Sequence, residues 1–218
     1  MHLTRFEINP QRRDARALLA SPQRLHAAVL AAFPSSRPES DEGRILWRLD
    51  EGQHDHLLYV VSPLEPDLNH LAESVGRPTY GWLTKDYGPF LDKLAAGDRW
   101  AFRLRGNPVH NGPSADRNSR GKRLPHVTAA QQTEWFLQRA QRSGFSVADG
   151  TAEAPDLVLR DRRTLRFDRR GRAVTLSTAL FEGTLVVRDP AALRAALVSG
   201  IGPAKGYGCG LLTLAAPR

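Results

Sequence analysis

RILWRLD (44–50) and HLLYVVS (56–62), joined by the polar, glycine-containing EGQHD (51–55), read as the two strands of a hairpin. Upstream, HLTRFEI (2–8) alternates apolar and polar residues with the period of two expected of a half-buried strand. Ser21-Pro22 then offers an N-cap followed by proline at the first helical position, which predicts a helix from there to about Phe33. Along it Leu25, Ala28, Val29, Ala32 and Phe33 recur at the three-and-four spacing of a buried stripe, His26 lies at the stripe's border, and Pro34 ends it. Downstream, Asp67 to Ser74 reads as a short helix and RPTYGWLT (77–84) as a fourth strand. The order β-α-β-β-α-β is the ferredoxin-like unit, an antiparallel sheet with two helices on one face, so the fold class is α+β.

The second half repeats this order with additions. WAFRLRGNP (100–108) is a strand, and Thr128 with Gln131 forms a capping box for a helix running to about Ser143 and stopped by Gly144. An extended basic section follows. Asp168 to Gly171 has the composition of a turn, which makes its flanks an arginine-rich hairpin continuing through AVTLSTALFEGTLVV (173–187). Asp189-Pro190 starts a further helix, Gly200 ends it, and LLTLA (211–215) is the last strand. Two domains are expected, at residues 1–92 and 97–218, each of ordinary domain size.

Composition excludes several classes. With 218 residues, 41% hydrophobic and 25% charged, the chain is neither disordered nor fibrous. Its longest apolar run, Ala27 to Phe33, is far short of the roughly 18 residues that span a bilayer. MHLTRFEINP lacks the charged and apolar regions of a secretory signal, so a cytoplasmic location is expected. The one cysteine, Cys209, has no partner for a disulfide or a cysteine-based zinc site. His54 and His56 flank Asp55 in a polar turn and read as solvated loop histidines, not metal ligands.

The net charge of +8 is unevenly placed. Residues 1–95 hold 11 basic and 13 acidic side chains, residues 96–218 hold 20 and 10. Arg160, Arg162, Arg163, Arg166, Arg169, Arg170 and Arg172 face only Asp161 and Asp168 and are interleaved with Leu165 and Phe167, as in an amphipathic strand. A basic strand points to a nucleic acid, whereas an anionic membrane surface is met by an amphipathic helix.

GIGPAKGYGCG (200–210) packs five glycines into eleven residues. It is no dinucleotide fingerprint, because it follows a helix instead of opening one, and no Gly-Lys-Ser/Thr step makes it a P-loop. Two readings stand at this point. Gly200, Gly202, Gly206 and Gly208 form a tight structural connection, or the loop's amides and Lys205 meet a phosphate or the partner domain.

The N-terminal strand with its His26-bearing helix, FRLRGNP (102–108), the Gly121-Lys122-Arg123 step, LFEGTLVVRDP (180–190) and GIGPAKGYGCGLLTL (200–214) occur in the order and spacing of one family. The chain resembles the repeat-processing endoribonucleases of the type I-E CRISPR Cascade system, the CasE family, over essentially its whole length. The resemblance implies tandem ferredoxin-like, RRM-like domains that bind the hairpin of a CRISPR repeat RNA and cut once at its base. It further implies attack by the RNA's own 2′-hydroxyl, with no metal or other cofactor, leaving a 2′,3′-cyclic phosphate and a 5′-hydroxyl. The product then stays bound among the other Cascade subunits, which with the RNA are the expected partners.

On this resemblance His26 matches the catalytic histidine, suited to general base or acid work near neutrality. Many relatives carry a tyrosine three residues earlier, where this chain has Gln23, which cannot exchange a proton at neutral pH; Arg24 beside it can offer charge. Arg160, Arg162, Arg163, Arg166, Arg169 and Arg170 are expected along the repeat stem, with Lys122 and Arg123 on its backbone. The missing tyrosine also leaves open a non-catalytic hairpin-binding protein of the same fold. An acylphosphatase-like enzyme is the other alternative, and it leaves the basic second half unused.

Overall fold

The computed structural model describes residues 1–34, 43–77, 81–112, 123–150, 154–169 and 171–217. The first unit runs β1 (His2–Ile8), α1 (Arg13–Leu19), α2 (Pro22–Ala31), β2 (Leu46–Glu51), β3 (His56–Ser62), α3 (Asn69–Val75) and β4 (Trp82–Asp86). Its antiparallel sheet is ordered β2-β3-β1-β4, the ferredoxin-like arrangement. After α4 (Gly88–Lys93) the second unit runs β5 (Arg99–Gly106), a small hairpin of β6 (Val109–Asn111) and β7 (Arg123–Pro125), α5 (Ala129–Arg142), β8 (Phe145–Val147), β9 (Leu157–Arg169), β10 (Arg172–Val187), α6 (Pro190–Ser199) and β11 (Leu212–Ala215). Strands β11, β5 and β10 lie side by side, and the far edge of β10 is shared by β8 at one end and β9 along the rest. Counting β8 and β9 as one interrupted strand, this is again a ferredoxin-like sheet, and the chain is a tandem α+β fold.

The element signals act largely as the sequence predicts. Thr128 and Gln131 form the complete capping box of α5, and Asp189 accepts from the backbone N–H groups of Ala191 and Ala192 at the start of α6. Ser21 occupies the N-cap of α2, but its side chain makes no capping bond. The helix ends at Ala31, two residues before the expected Phe33, because Ala32 and Phe33 close it with tighter bonds to Val29 and Leu30. The short elements α1, α4 and β8 and the β6–β7 hairpin are additions that the sequence does not announce. His56 begins β3 half-buried, not in a solvated loop as expected.

Leu25 and Val29 of α2 bury against Phe6, Ile8, Leu58 and Val60. In the second unit Phe136 of α5 stacks on Phe181 and Phe102, with ring centroids 4.6 and 5.3 Å apart. This second core does not stop at its own sheet: Leu46 and Val61 of the first sheet belong to it, with Met1, Leu3 and Tyr59 packed alongside. Transfer of apolar surface from water therefore holds the two units to one another as well as each to itself.

A polar strut crosses the same junction. Arg48 on β2 is 1% exposed. Its guanidinium grips Asp50 through two bonds of 2.7 and 3.0 Å and donates to the carbonyls of Arg103 (2.8 Å) and Leu211 (3.1 Å) in the second unit. Arg103 returns a bond of 3.0 Å to Asp50 and pairs with Glu182. Farther along, Arg163 holds Glu51 at 2.8 Å.

Burial alone would raise the Asp50 carboxyl, but the bonds and charges of Arg48 and Arg103 outweigh it and hold the group below its ordinary 3.8. A depressed carboxylate stabilises the fold at every pH above its unfolded value, and that contribution disappears as pH falls through the lower folded one. Asp50→Asn is accordingly expected to lower the unfolding temperature at pH 7 and to lose most of that difference well below pH 3.8. Thermal unfolding followed at both pH values checks it.

Candidate active site

Gln23 and His26 lie one turn apart on α2, and the turn is laid against the glycine-rich loop that links α6 to β11. Trp47 of β2, in the opening hairpin, donates from its indole N–H to Nδ1 of His26 at 3.3 Å. An indole can only donate, so Nδ1 is the acceptor and the neutral imidazole carries its proton on Nε2. The imidazolium has a proton on both nitrogens and forfeits this bond.

The loop reaches the ring because two of its residues have no side chain. A Cβ on Gly206 would lie 3.3 Å from His26 Nε2, and one on Gly208 would lie 2.7 Å from the Trp47 ring, at a φ of +78° that other residues avoid. The 3-10 turn Lys205–Tyr207, which contains Gly206, brings Lys205 and Tyr207 to the pocket that His26 lines. The loop thus proves to be both a tight connection and a wall of the pocket. Gly200 ends α6 against Leu46, Gly202 packs on Trp135, and Cys209 is buried, its thiol pushed up to about 12 by burial.

The resulting pocket, about 400 Å³, is lined by Gln23, His26, Lys205 and Tyr207 together with Arg44 and Arg123. Among the described residues its walls hold three cations and no carboxylate. The Lys205 ammonium is held below its ordinary value, by burial first and by Arg44 second. Such a pocket suits an anion: bringing a phosphate into it relieves the mutual repulsion of its cations. No group of three or more His, Cys, Asp or Glu converges anywhere among the described residues.

The basic hairpin bends toward Tyr207 at the edge of the pocket. Asp161 takes a positive φ of 45° where the β9–β10 register slips between Thr178 and Leu180. The Asp161 carboxylate is bound by Arg105 at 2.6 Å and by Arg163. Although burial opposes it, these arginines depress the Asp161 carboxyl. Beyond the bulge β9 leans over α2, and its Phe167 meets Tyr207 at 4.9 Å between ring centroids. A groove of about 940 Å³ runs between this hairpin and the β6–β7 hairpin, and Arg123, Ala204 and Tyr207 line both it and the His26 pocket.

The arginines expected on RNA divide into two groups. Arg162 is committed to the Gln132 side chain (2.9 Å) and the Val127 carbonyl (2.5 Å), and Arg163 to Glu51 and Asp161. Arg160 lies 3.5 Å from Glu182 with most of its side chain in solvent, and Arg166 is exposed and has no ion-pair partner among the described residues. Lys122, Arg170 and the Arg169 side chain lie outside the described residues. Arg24 donates to the Ala17 carbonyl at 3.2 Å, along the α1–α2 corner and away from the pocket. Arg44, Trp47 and Tyr207 are additions that the sequence reading did not contain. Tyr207 had a visible signal, as a lone aromatic within the glycine-rich loop.

Over residues 1–216 the chain matches the family of CRISPR associated proteins. It is 32% identical over 222 residues to the CRISPR-associated endoribonuclease Cse3 of Thermus thermophilus, covering 99% of this chain and 100% of that protein. It is also 35% identical over 129 residues to the CRISPR system Cascade subunit CasE of Escherichia coli, a match spanning 56% of this chain and 61% of that one. The solved structure of Cse3 bound to a 19-nucleotide RNA superposes with a TM-score of 0.83 at 31% identity, over 99% of this chain and 100% of the other. With sequence and fold matched from end to end, the chain belongs to the CRISPR-associated protein family.

Proposed function

We propose that this chain is a CRISPR repeat endoribonuclease and that the pocket around His26 is where it cuts. The observation that carries the proposal is the convergence of an oriented histidine, three cations and a phenol on one pocket at the mouth of a basic groove. The similarity to the Cse3 endoribonuclease over the whole chain supports it. Residues 1–92 supply the catalytic helix and residues 97–218 the basic hairpin and glycine-rich loop.

The reaction needs a nucleophile, proton transfer and charge stabilisation. The RNA supplies the first: its 2′-hydroxyl attacks the adjacent phosphorus, the P–O5′ bond breaks, and a 2′,3′-cyclic phosphate and a 5′-hydroxyl result. His26 transfers the proton at Nε2, the ring nitrogen that faces the loop; it gives one there to the departing O5′ as the imidazolium, a state that releases the Trp47 bond. Lys205, Arg44 and Arg123 face the negative charge that builds on the non-bridging oxygens. Tyr207 brings the phenol that position 23 lacks, and Gln23 can hold the 2′-hydroxyl by hydrogen bonding. The groove and the exposed Arg160 and Arg166 take the phosphates of the stem, which A-form RNA presents mainly as shape. The cleaved hairpin stays on the protein, which carries it within Cascade.

The test is to incubate the protein with its repeat RNA in EDTA and map the product ends. One cut at the hairpin base ending in a cyclic phosphate is expected. Tight hairpin binding with no cut would leave a binding subunit, disabled by the Gln23 substitution. Lys205→Met, which keeps the stem of the side chain and removes its charge, is expected to slow cleavage by about 10², the lower part of the range for one charge-stabilising group, since Arg44 and Arg123 remain. Single-turnover rates with Lys205→Arg as the restoring control check this.

A further inference from the structure

On the other side of Tyr207 from the His26 pocket lies a second, smaller cavity of about 180 Å³ that the reaction above does not use. It opens between the α1–α2 corner and β9 of the basic hairpin. Its walls are mostly apolar and aromatic, with Leu25, Trp47, Phe167 and Tyr207 among them, and Glu51 lines it together with Arg105 and Arg163, two of the arginines that hold Asp161. Arg166 stands among its lining residues, and Ser21 contributes the hydroxyl that caps nothing. Consecutive residues of α2 divide between the two chambers, Leu25 in this one and His26 in the other.

We propose that this cavity receives one nucleobase of the repeat RNA, turned out of the stack beside the scissile phosphate. The inference rests on the cleavage reading above and adds a binding subsite to it. Size argues for a single ring system, because a cavity of about 150 Å³ is known to hold one benzene. The chemistry argues for a base: aromatic and aliphatic walls accept its faces, the Ser21 hydroxyl can meet its polar edge, and arginine beside the cavity suits the attached phosphate. Position argues for the nucleotide at the cut, since the two chambers share Tyr207 and Trp47 walls one while holding the histidine of the other. The device also has a purpose. Continuous A-form stacking keeps the 2′-hydroxyl out of line with the P–O5′ bond, and drawing one base aside turns its sugar so that attack becomes in line.

The experiment uses the full-length protein and a set of repeat hairpins, each with one abasic site within two nucleotides of the cut. At one position the abasic RNA is expected to be cut about 10-fold more slowly in single turnover, the scale of one base–aromatic contact. Ala20→Trp, which plugs the cavity mouth from the exposed end of α1, is expected to slow cleavage of the intact RNA similarly and to lose no more when that base is removed. Phe167→Ala serves as a second variant should the first disturb folding, and the same loss of coupling is expected. In parallel, 2-aminopurine at that position of a 2′-deoxy-blocked RNA should change its fluorescence on binding wild type and not on binding Ala20→Trp. Uniform tolerance of abasic sites, or equal sensitivity in wild type and both variants, overturns the proposal while cleavage itself stands. A wild type that never cuts overturns the cleavage reading instead, and the fluorescence of the bound RNA still decides whether the cavity holds a base.

Discussion

His26→Ala is expected to cut the repeat hairpin about 10²–10⁴-fold more slowly than wild type, the range that positioned proton transfer supplies. It should bind the hairpin as tightly, because the arginines of the hairpin and the groove are untouched. Single-turnover cleavage and equilibrium binding at one salt concentration separate the two effects. A 2′-deoxy substitution at the cleavage site should stop the reaction in wild type too, since the nucleophile is then gone. Trp47→Phe removes the orienting bond to Nδ1 and keeps an aromatic ring in its place, so its loss should be smaller. If His26→Ala cuts at the wild-type rate, proton transfer lies elsewhere in the pocket.

The second large effect is on stability. Arg48→Ala is expected to destabilise the protein by about 3–5 kcal/mol, the usual cost of removing one member of a buried ion pair. Three losses combine there. Asp50 keeps only Arg103, the carbonyls of Arg103 and Leu211 lose a donor, and a large buried side chain leaves a void. For a chain of this size that amounts to roughly 6–20 °C in unfolding temperature. Arg48→Met refills the space without the charge and should recover part of the loss, which calorimetry of the two variants would show. An unchanged midpoint in Arg48→Ala would mean that the apolar junction alone holds the units together.

The repeated strand–helix order was legible because its pieces are long enough to show a period and carry their own punctuation: Ser21-Pro22, the Thr128–Gln131 box, Asp189-Pro190 and Gly200. The helices α1 and α4, strand β8 and the β6–β7 hairpin were not, since each is short and α1, unlike α2 and α5, opens with no side-chain cap or proline to mark it. In the candidate site, the resemblance to a family supplied His26 and Gln23, charge and rough position supplied Arg123, and the glycine-rich loop itself pointed to Lys205. Arg44 and Trp47 arrive from β2 and its approach, about twenty residues away in sequence, so only the register of the first sheet against α2 brings them together. Charge counting overstated the hairpin's supply of arginines for RNA. Arg162 and Arg163 look identical to Arg160 and Arg166 in sequence, yet Gln132, Val127, Glu51 and Asp161 claim them in the fold.

The core that runs through both units bears on how the molecule must be made. A ribosome releases the first sheet long before Phe102, Leu104, Leu197 and Leu212 exist, so Leu46 and Val61 emerge with their eventual neighbours still untranslated. The nascent N-terminal half therefore carries a sticky face until the last strand is complete. Cutting the gene into two separately expressed halves would make that exposure permanent, and co-expression, in which each half covers the other, is the arrangement under which such pieces would be recovered soluble.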